Sequence, residues 1–415
     1  MRSNRYALLL TLTVCLMLAV APILAAPARQ PLVVNSYYSD SASSKPFEQL
    51  VAMFSKQHPE YDVTVNVVAH EDFKILLRTW LNSADAPDVV TWMGGERMRY
   101  FARKGLLAPV DAVYTPSGFD NQVAPAFRNA CSFNGKLYLV PRDFEWWAVY
   151  YRKSIFEKHK IPVPQTWPEF LDACDKLKKA GLTPIAIGTK NIWPAAGWFG
   201  VFNLRVNGLD FYQDLCDGTI AYTDPRLKNA MDYWKVLLER GCFLDNHSSY
   251  GWREAAAFIY RGEAAMMLMG SFITDDIPAS LADDFDFFRF PVIRKDVGLV
   301  EQVPVNGFMI PARAKNKDAA VAFLKFMASK EAQDFVADTQ SYPVVYKGFQ
   351  SRDPYLRKGF NLISGSDGAM QFYDIDTDPE MADIGMNALV EFMMFPARID
   401  TILKNLEVQR QRIFK

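Results

Sequence analysis

Short β-branched or aromatic runs alternate along this chain with amphipathic helical patterns, and that alternation restricts the fold more than any other feature of the sequence. The runs are PLVVNSYY (31–38), VTVNVVA (63–69), PDVVTWM (87–93), KLYLVP (136–141), WWAVYY (146–151), TPIAIG (183–188), AAMMLM (264–269), FFRFPVI (287–293) and GFMIP (307–311). Between them, helix boundaries carry chemical punctuation. SIFE (Ser154 to Glu157) and TWPE (Thr166 to Glu169) match the capping box, in which a hydroxyl and a carboxylate satisfy orphan backbone amides reciprocally. Phe170, Leu171, Cys174 and Leu177 follow at helical spacing, and Gly181 suits a left-handed helix end. Asp224-Pro225 opens a helix with Leu227, Met231, Trp234 and Leu238 on its inner side, closed by Gly241. Phe47, Leu50, Val51 and Phe54 mark the first helix. The pattern is α/β.

The chain has 415 residues, enough for two lobes, and 50% of them are hydrophobic. A formal charge of −1 argues against nucleic acid or an anionic membrane as partner, since both call for a basic face. The first residues differ in kind: Arg2 and Arg5, then an apolar stretch from Ala7 to Ala26, then small residues. This is the layout of a secretory signal peptide spanning 1–28, cleaved after Ala26 or after Ala28; the competing reading is an uncleaved anchor. Removing Arg2 and Arg5 from 46 basic residues leaves 44 against 47 acidic, a formal −3. The mature protein is expected to be periplasmic. It retains Cys131, Cys174, Cys216 and Cys242, with Cys216–Cys242 as the expected pair if any disulfide forms, against free buried thiols as the alternative.

Four stretches, in register, resemble the family 1 extracellular solute-binding proteins of bacterial ABC importers. They are APDVVTWMGGERMRYFARKGLLAPVD, then NGKLYLVPRDFEWWAVYYRKSIFEKHKIPVPQTWPEFLDACDKLKKAGLTPIAIG, then FIYRGEAAMMLMGSFI and KNKDAAVAFLKFMASKEAQDFV. The resemblance covers roughly residues 30–345. Arg152 stands where the family often has Asn, and Phe272 where Trp is common. The resemblance implies a two-lobed periplasmic-binding-protein fold, type II-like, with a ligand cleft between the lobes. Lobe I would comprise 29–141 plus 294–340, and lobe II 142–293 plus 341–415, with crossings near 142–147, 288–293 and 337–346. It also implies a monomer that binds a mono- or oligosaccharide and hands it to the membrane permease of an ABC importer. The same fold binding a non-sugar solute is the alternative, and a secreted glycoside hydrolase a more distant one.

The stretch RDFEWWAVYY (142–151) then falls at a crossing, on the cleft floor. A sugar offers hydroxyls at its edges and C–H groups on its faces, so its site needs carboxylates or amides together with a flat aromatic. Asp143 and Glu145 supply the former and Trp146 or Trp147 the latter. In an extended strand Asp143, Glu145 and Trp147 share one face, and Phe144 and Trp146 the other. The competing reading is a strand with one Trp in the core and its acids in water. Further candidates are Trp92 before Gly94-Gly95, Trp193 and Trp198 in a Pro/Gly-rich loop, and Trp252, which packing would suit equally. Ser271, Phe272 and Asn306 stand at strand-edge turns, whereas Trp80, Trp167 and Trp234 hold helical core positions. No GxSxG, HExxH or P-loop occurs, and His58, His70, His159 and His247 are dispersed, so no catalytic residue, metal site or cofactor is expected. Tyr37-Tyr38 and Tyr150-Tyr151 are similar to the tyrosine pairs of ferric-ion-binding relatives, but the second pair is better explained as part of the family's strand.

Overall fold

The computed structural model describes residues 29–117, 119, 123, 125–339, 343–345, 351 and 353–415; the expected signal segment 1–28 and part of the third expected crossing lie outside them. Two separate sheets organise the chain. In the first, strand Gln30–Ser36 runs parallel between Tyr61–Val67 and Val89–Met93. Strand Val305–Pro311 returns antiparallel to Val89–Met93, to Leu107–Ala108 and to Val140–Phe144. In the second, Trp147–Arg152 lies antiparallel between Phe285–Phe288 and Ala264–Gly270, and Thr183–Ile185 extends the edge in parallel. The chain therefore leaves one sheet at Phe144 and enters the other at Trp147, with Glu145 and Trp146 as the passage. This is the α/β architecture expected from the alternation, in the two-lobed form that the resemblance implies.

Local signals explain most helix ends. The Glu169 carboxylate accepts from the backbone N–H of Thr166 (3.0 Å) and of Gln165 (2.7 Å), starting helix Trp167–Lys179. Asp224 accepts from the N–H of Arg226 at the head of Pro225–Glu239. SIFE does not behave as a cap: helix Lys153–Lys158 already includes Ser154, whose N–H and hydroxyl both donate to Asp284, 130 positions away. Trp193 and Trp198, expected in a loop, lie in helix Trp193–Val206, with Pro194 in its first turn where a missing N–H costs nothing. The run 287–293 is strand only as far as Phe288. Strands Leu107–Ala108, Ser132–Phe133, Val300–Gln302 and Gly368–Met370 are too short for any two-residue alternation to register in the sequence.

Trp234 and Trp167 are core residues, as their spacing suggests, and Trp80 packs half-buried, edge-on against Phe73 at 5.1 Å. All four described cysteines are buried free thiols. The expected Cys216–Cys242 pair does not form: Cys216 sits beside Tyr212 and Asp376, while the neighbour of Cys242 is Cys174. Among the described residues no helix is long and apolar enough to cross a membrane.

Candidate functional site

A cleft of about 390 Å³ opens where the two sheets meet, and its two walls differ chemically. The polar wall comes from strand ends of the first sheet. At Asn306/Gly307 the register of Val305–Pro311 against Val140–Phe144 shifts by a bulge. Any side chain at Gly307 would meet the carbonyl of Val140 at 2.2 Å, so only glycine permits this approach. The bulge carries the Asn306 amide to the crossing, where Nδ2 donates to Asp143 Oδ1 and to Glu145 Oε1, both at 3.0 Å. Asn306 Oδ1 accepts from the Tyr37 hydroxyl (3.2 Å), and Arg142 Nε donates to Asp143 Oδ2 (2.5 Å). The Arg142 guanidinium lies 4.0 Å over the ring of Tyr38.

Burial pushes the Glu145 carboxyl up to about 8, and the neighbouring Asp143 charge adds to the shift, with Asn306 and Arg142 opposing it. Burial likewise drives His70 well below its ordinary value, reinforced by Lys74, Arg97 and Arg253, so its imidazole is neutral. Four polar atoms on cleft-lining side chains make no hydrogen bond to the described residues: the Tyr38 hydroxyl, Arg142 Nη1, His70 Nε2 and Trp147 Nε1. A buried donor left without a partner is costly, so these atoms mark where a ligand's polar groups would be received.

The opposite wall is aromatic. Trp147 stacks on Phe372 (ring centroids 4.6 Å apart, 26° between planes) and meets Trp193 edge-on at 6.1 Å. Phe272 continues the wall at 6.0 Å from Trp193 and 5.2 Å from Trp252. Trp147 reaches this position because helix Trp193–Val206 presents Gly197 beneath it; a Cβ there would lie 2.4 Å from the indole.

Of the positions singled out in the sequence, Asp143, Glu145, Trp147, Trp193, Trp252, Phe272 and Asn306 line this cleft. Four lie elsewhere. Trp146 points the other way from Trp147, as neighbours on extended backbone must, and packs on Phe287 and over Gly359. Trp92 is buried between Phe73 and Phe101, under the Arg97 guanidinium. Trp198, five positions after Trp193 and so on a different face of the helix, is enclosed by Phe202, Phe243 and Phe290. Ser271 is fully buried. Sequence reasoning passed over Arg142, His70, Lys74, Phe372 and Asp374, and it considered Tyr37 and Tyr38 only as metal ligands. Tyr37 and Tyr38 follow the carboxyl end of a strand flanked by parallel neighbours, the edge where open α/β sheets hold ligands, and that signal was readable. Phe372 and Asp374 carry none, because they follow a three-residue strand far along the chain. Tyr150 and Tyr151 pack on Phe287 and Phe288 and do not line the cleft. Among the described residues no group of three or more His, Cys, Asp or Glu side chains is placed to hold a metal ion.

Comparison with known proteins gives a consistent set of relatives. The sequence model of the bacterial extracellular solute-binding proteins matches residues 38–334. An ABC transporter extracellular-binding protein of Pyrococcus horikoshii is 28% identical over 312 residues, covering 74% of this chain and 69% of that one. The multiple sugar-binding protein of Streptococcus mutans is 24% identical over 351 residues, 81% of each chain. Among solved structures, the bacterial solute receptor AcbH, described as having an exclusive preference for β-D-galactopyranose, superposes with a TM-score of 0.89 at 29% identity. That superposition covers 94% of this chain and 100% of that one.

Proposed function

Because the chain belongs to the bacterial extracellular solute-binding protein family, we propose that it captures a mono- or oligosaccharide between its lobes and delivers it to the permease of an ABC importer, without catalysis. The observation that carries this reading is the pairing of a carboxylate–amide–guanidinium wall with an aromatic wall across one cleft. Asp143, Glu145 and Asn306 are spaced to bond adjacent hydroxyls, while Trp147 offers a ring to the C–H face of a sugar. The sugar-binding relatives support the same ligand class. A glycosidase places its two carboxylates on opposite sides of the scissile bond. Here Asp143 and Glu145 both bond one nitrogen of Asn306 and so stand on the same side, which favours binding over hydrolysis.

A thermal-shift screen over neutral sugars, polyols and osmolytes tests the ligand class. A ligand at a hundredfold its dissociation constant stabilises by about 2.7 kcal/mol, so a sugar hit is expected to raise the melting temperature clearly. Stabilisation by non-sugar solutes alone would overturn the carbohydrate reading. Reducing-end release from a bound oligosaccharide, lost in Glu145→Gln, would make the protein a hydrolase. Uptake of labelled ligand by cells carrying the cognate permease, with and without this protein, tests delivery.

A further inference from the structure

Two of the buried thiols face each other inside the second lobe. Cys174 lies on helix Trp167–Lys179, and Cys242 follows the left-handed Gly241 that ends helix Pro225–Glu239. The two thiols neighbour each other, and each is the other's principal side-chain partner. Contacts on both sides fix this meeting. Asp175, next to Cys174, pairs with Arg240 at 2.8 Å, and the Lys178 ammonium donates to the Arg240 carbonyl. From below, the Ile185 N–H donates to the Cys242 carbonyl (2.9 Å), and the Leu244 N–H returns to the Ile185 carbonyl (3.0 Å). The first two contacts tie the Cys174 helix to the turn that carries Cys242, and the other two seat that turn on the strand at Ile185.

We propose that Cys174 and Cys242 form a disulfide in the exported protein. The proposal takes only the oxidising compartment from the family's extracellular placement, and nothing from the identity of the ligand. Before the turn is seated, one of the two cysteines, as its thiolate, attacks a disulfide-bearing oxidant, such as a dithiol oxidase or oxidised glutathione. That attack forms a mixed disulfide and releases one oxidant thiol. The other cysteine, losing its proton, then displaces the second oxidant thiol and closes the Cys174–Cys242 bond. In all, two protein thiols are oxidised and one oxidant disulfide is reduced to two thiols. Both sulfurs are buried in the folded chain, so the exchange takes place before the turn at 240–242 is seated.

The bond would secure the base of the turn that braces the cleft. Downstream of Cys242, the His247 carbonyl accepts from the Thr189 N–H (2.9 Å), the His247 Nδ1 meets the Thr189 hydroxyl (2.8 Å), and the Tyr250 carbonyl accepts from Lys190 (3.0 Å). Residues 189–190 lead directly into Asn191 and Trp193 on the cleft wall.

The test is to refold the full chain from denaturant in a mixture of reduced and oxidised glutathione, alkylate under denaturing conditions without reductant, and map peptides by mass spectrometry. The expected product is a linked peptide pair joining Cys174 to Cys242, with Cys131 and Cys216 carrying the alkyl label. In Cys174→Ser, Cys242 should then be alkylated. Recovery of both Cys174 and Cys242 alkylated from the wild-type chain, or of either joined to Cys131 or Cys216, would overturn the proposal, whatever ligand the protein binds.

Discussion

Replacing Glu145 by Gln should make the protein less sensitive to alkaline pH, and the size of the effect can be worked from the site. The side chain keeps its shape, and its amide oxygen still accepts from Asn306, so the structural change is small. The lost property is ionisation. In the folded protein burial and Asp143 raise this carboxyl to about 8, against 4.5 ordinarily. Because the folded value is raised, its contribution to stability is fully present below the unfolded value and is lost as pH rises through the folded one. Between pH 6 and 8 the folded state keeps a proton that the unfolded state has released. Each pH unit well below 8 removes about 1.4 kcal/mol, and with the folded carboxyl half-ionised at pH 8 the window removes roughly 2.3 kcal/mol. Glu145 is half-buried, and solvent screening brings the expected loss to between about 1 and 2.3 kcal/mol. Urea unfolding at pH 6, 7, 8 and 9 should show the wild type losing this amount relative to Glu145→Gln, with the two curves closest at pH 6. Taking the difference between the two proteins cancels other titrating groups, such as Asp376, which burial raises to about 6. Parallel pH profiles would refute the argument that the cleft floor holds a carboxylic acid under strain.

Other expectations follow from the same geometry. Trp147→Ala should weaken ligand binding by about thirtyfold, equivalent to about 2 kcal/mol, measured by calorimetry. Trp146→Ala should instead cost about 3–5 kcal/mol of stability at little specific cost in affinity, because Trp146 is a core side chain; equal affinity losses in the two variants would contradict the opposed faces. Gly197→Ala should lower affinity while retaining helical content by circular dichroism, since its methyl would displace the Trp147 indole; unchanged affinity would show that Trp147 does not grip ligand. Small-angle scattering should give a smaller radius of gyration with a confirmed ligand at saturation, the mark of hinge closure between lobes; no change would count against mobile lobes.

Much of the scaffold was legible before any coordinates, because the relevant physics is local. Thr166-Trp-Pro-Glu169 and Asp224-Pro225 announce helix starts through hydrogen bonds that span three residues, and both appear in the structure. The alternation that put Asp143, Glu145 and Trp147 on one face, and Phe144 and Trp146 on the other, needs only extended backbone. It places the first three in the cleft and the others away from it. Residue type without periodicity misled. Trp92 and Trp198 were singled out as tryptophans near glycine and proline, yet each is enclosed by aromatic neighbours distant in sequence. Ser154 read as a helix cap until Asp284 arrived from another element to take its hydrogen bonds.

What the sequence determined by itself is therefore the order of strands and helices, the caps and the facing of single strands, since each depends on residues a few positions apart. Tertiary structure alone decided who meets whom. A bulge at Asn306/Gly307 brings an amide across 163 positions to Asp143, Phe372 arrives from beyond the last long strand to stack on Trp147, and Cys242 finds Cys174 rather than Cys216. Those partners are selected by strand pairing and by the packing of whole elements, and no interval of sequence encodes a meeting between segments so far apart.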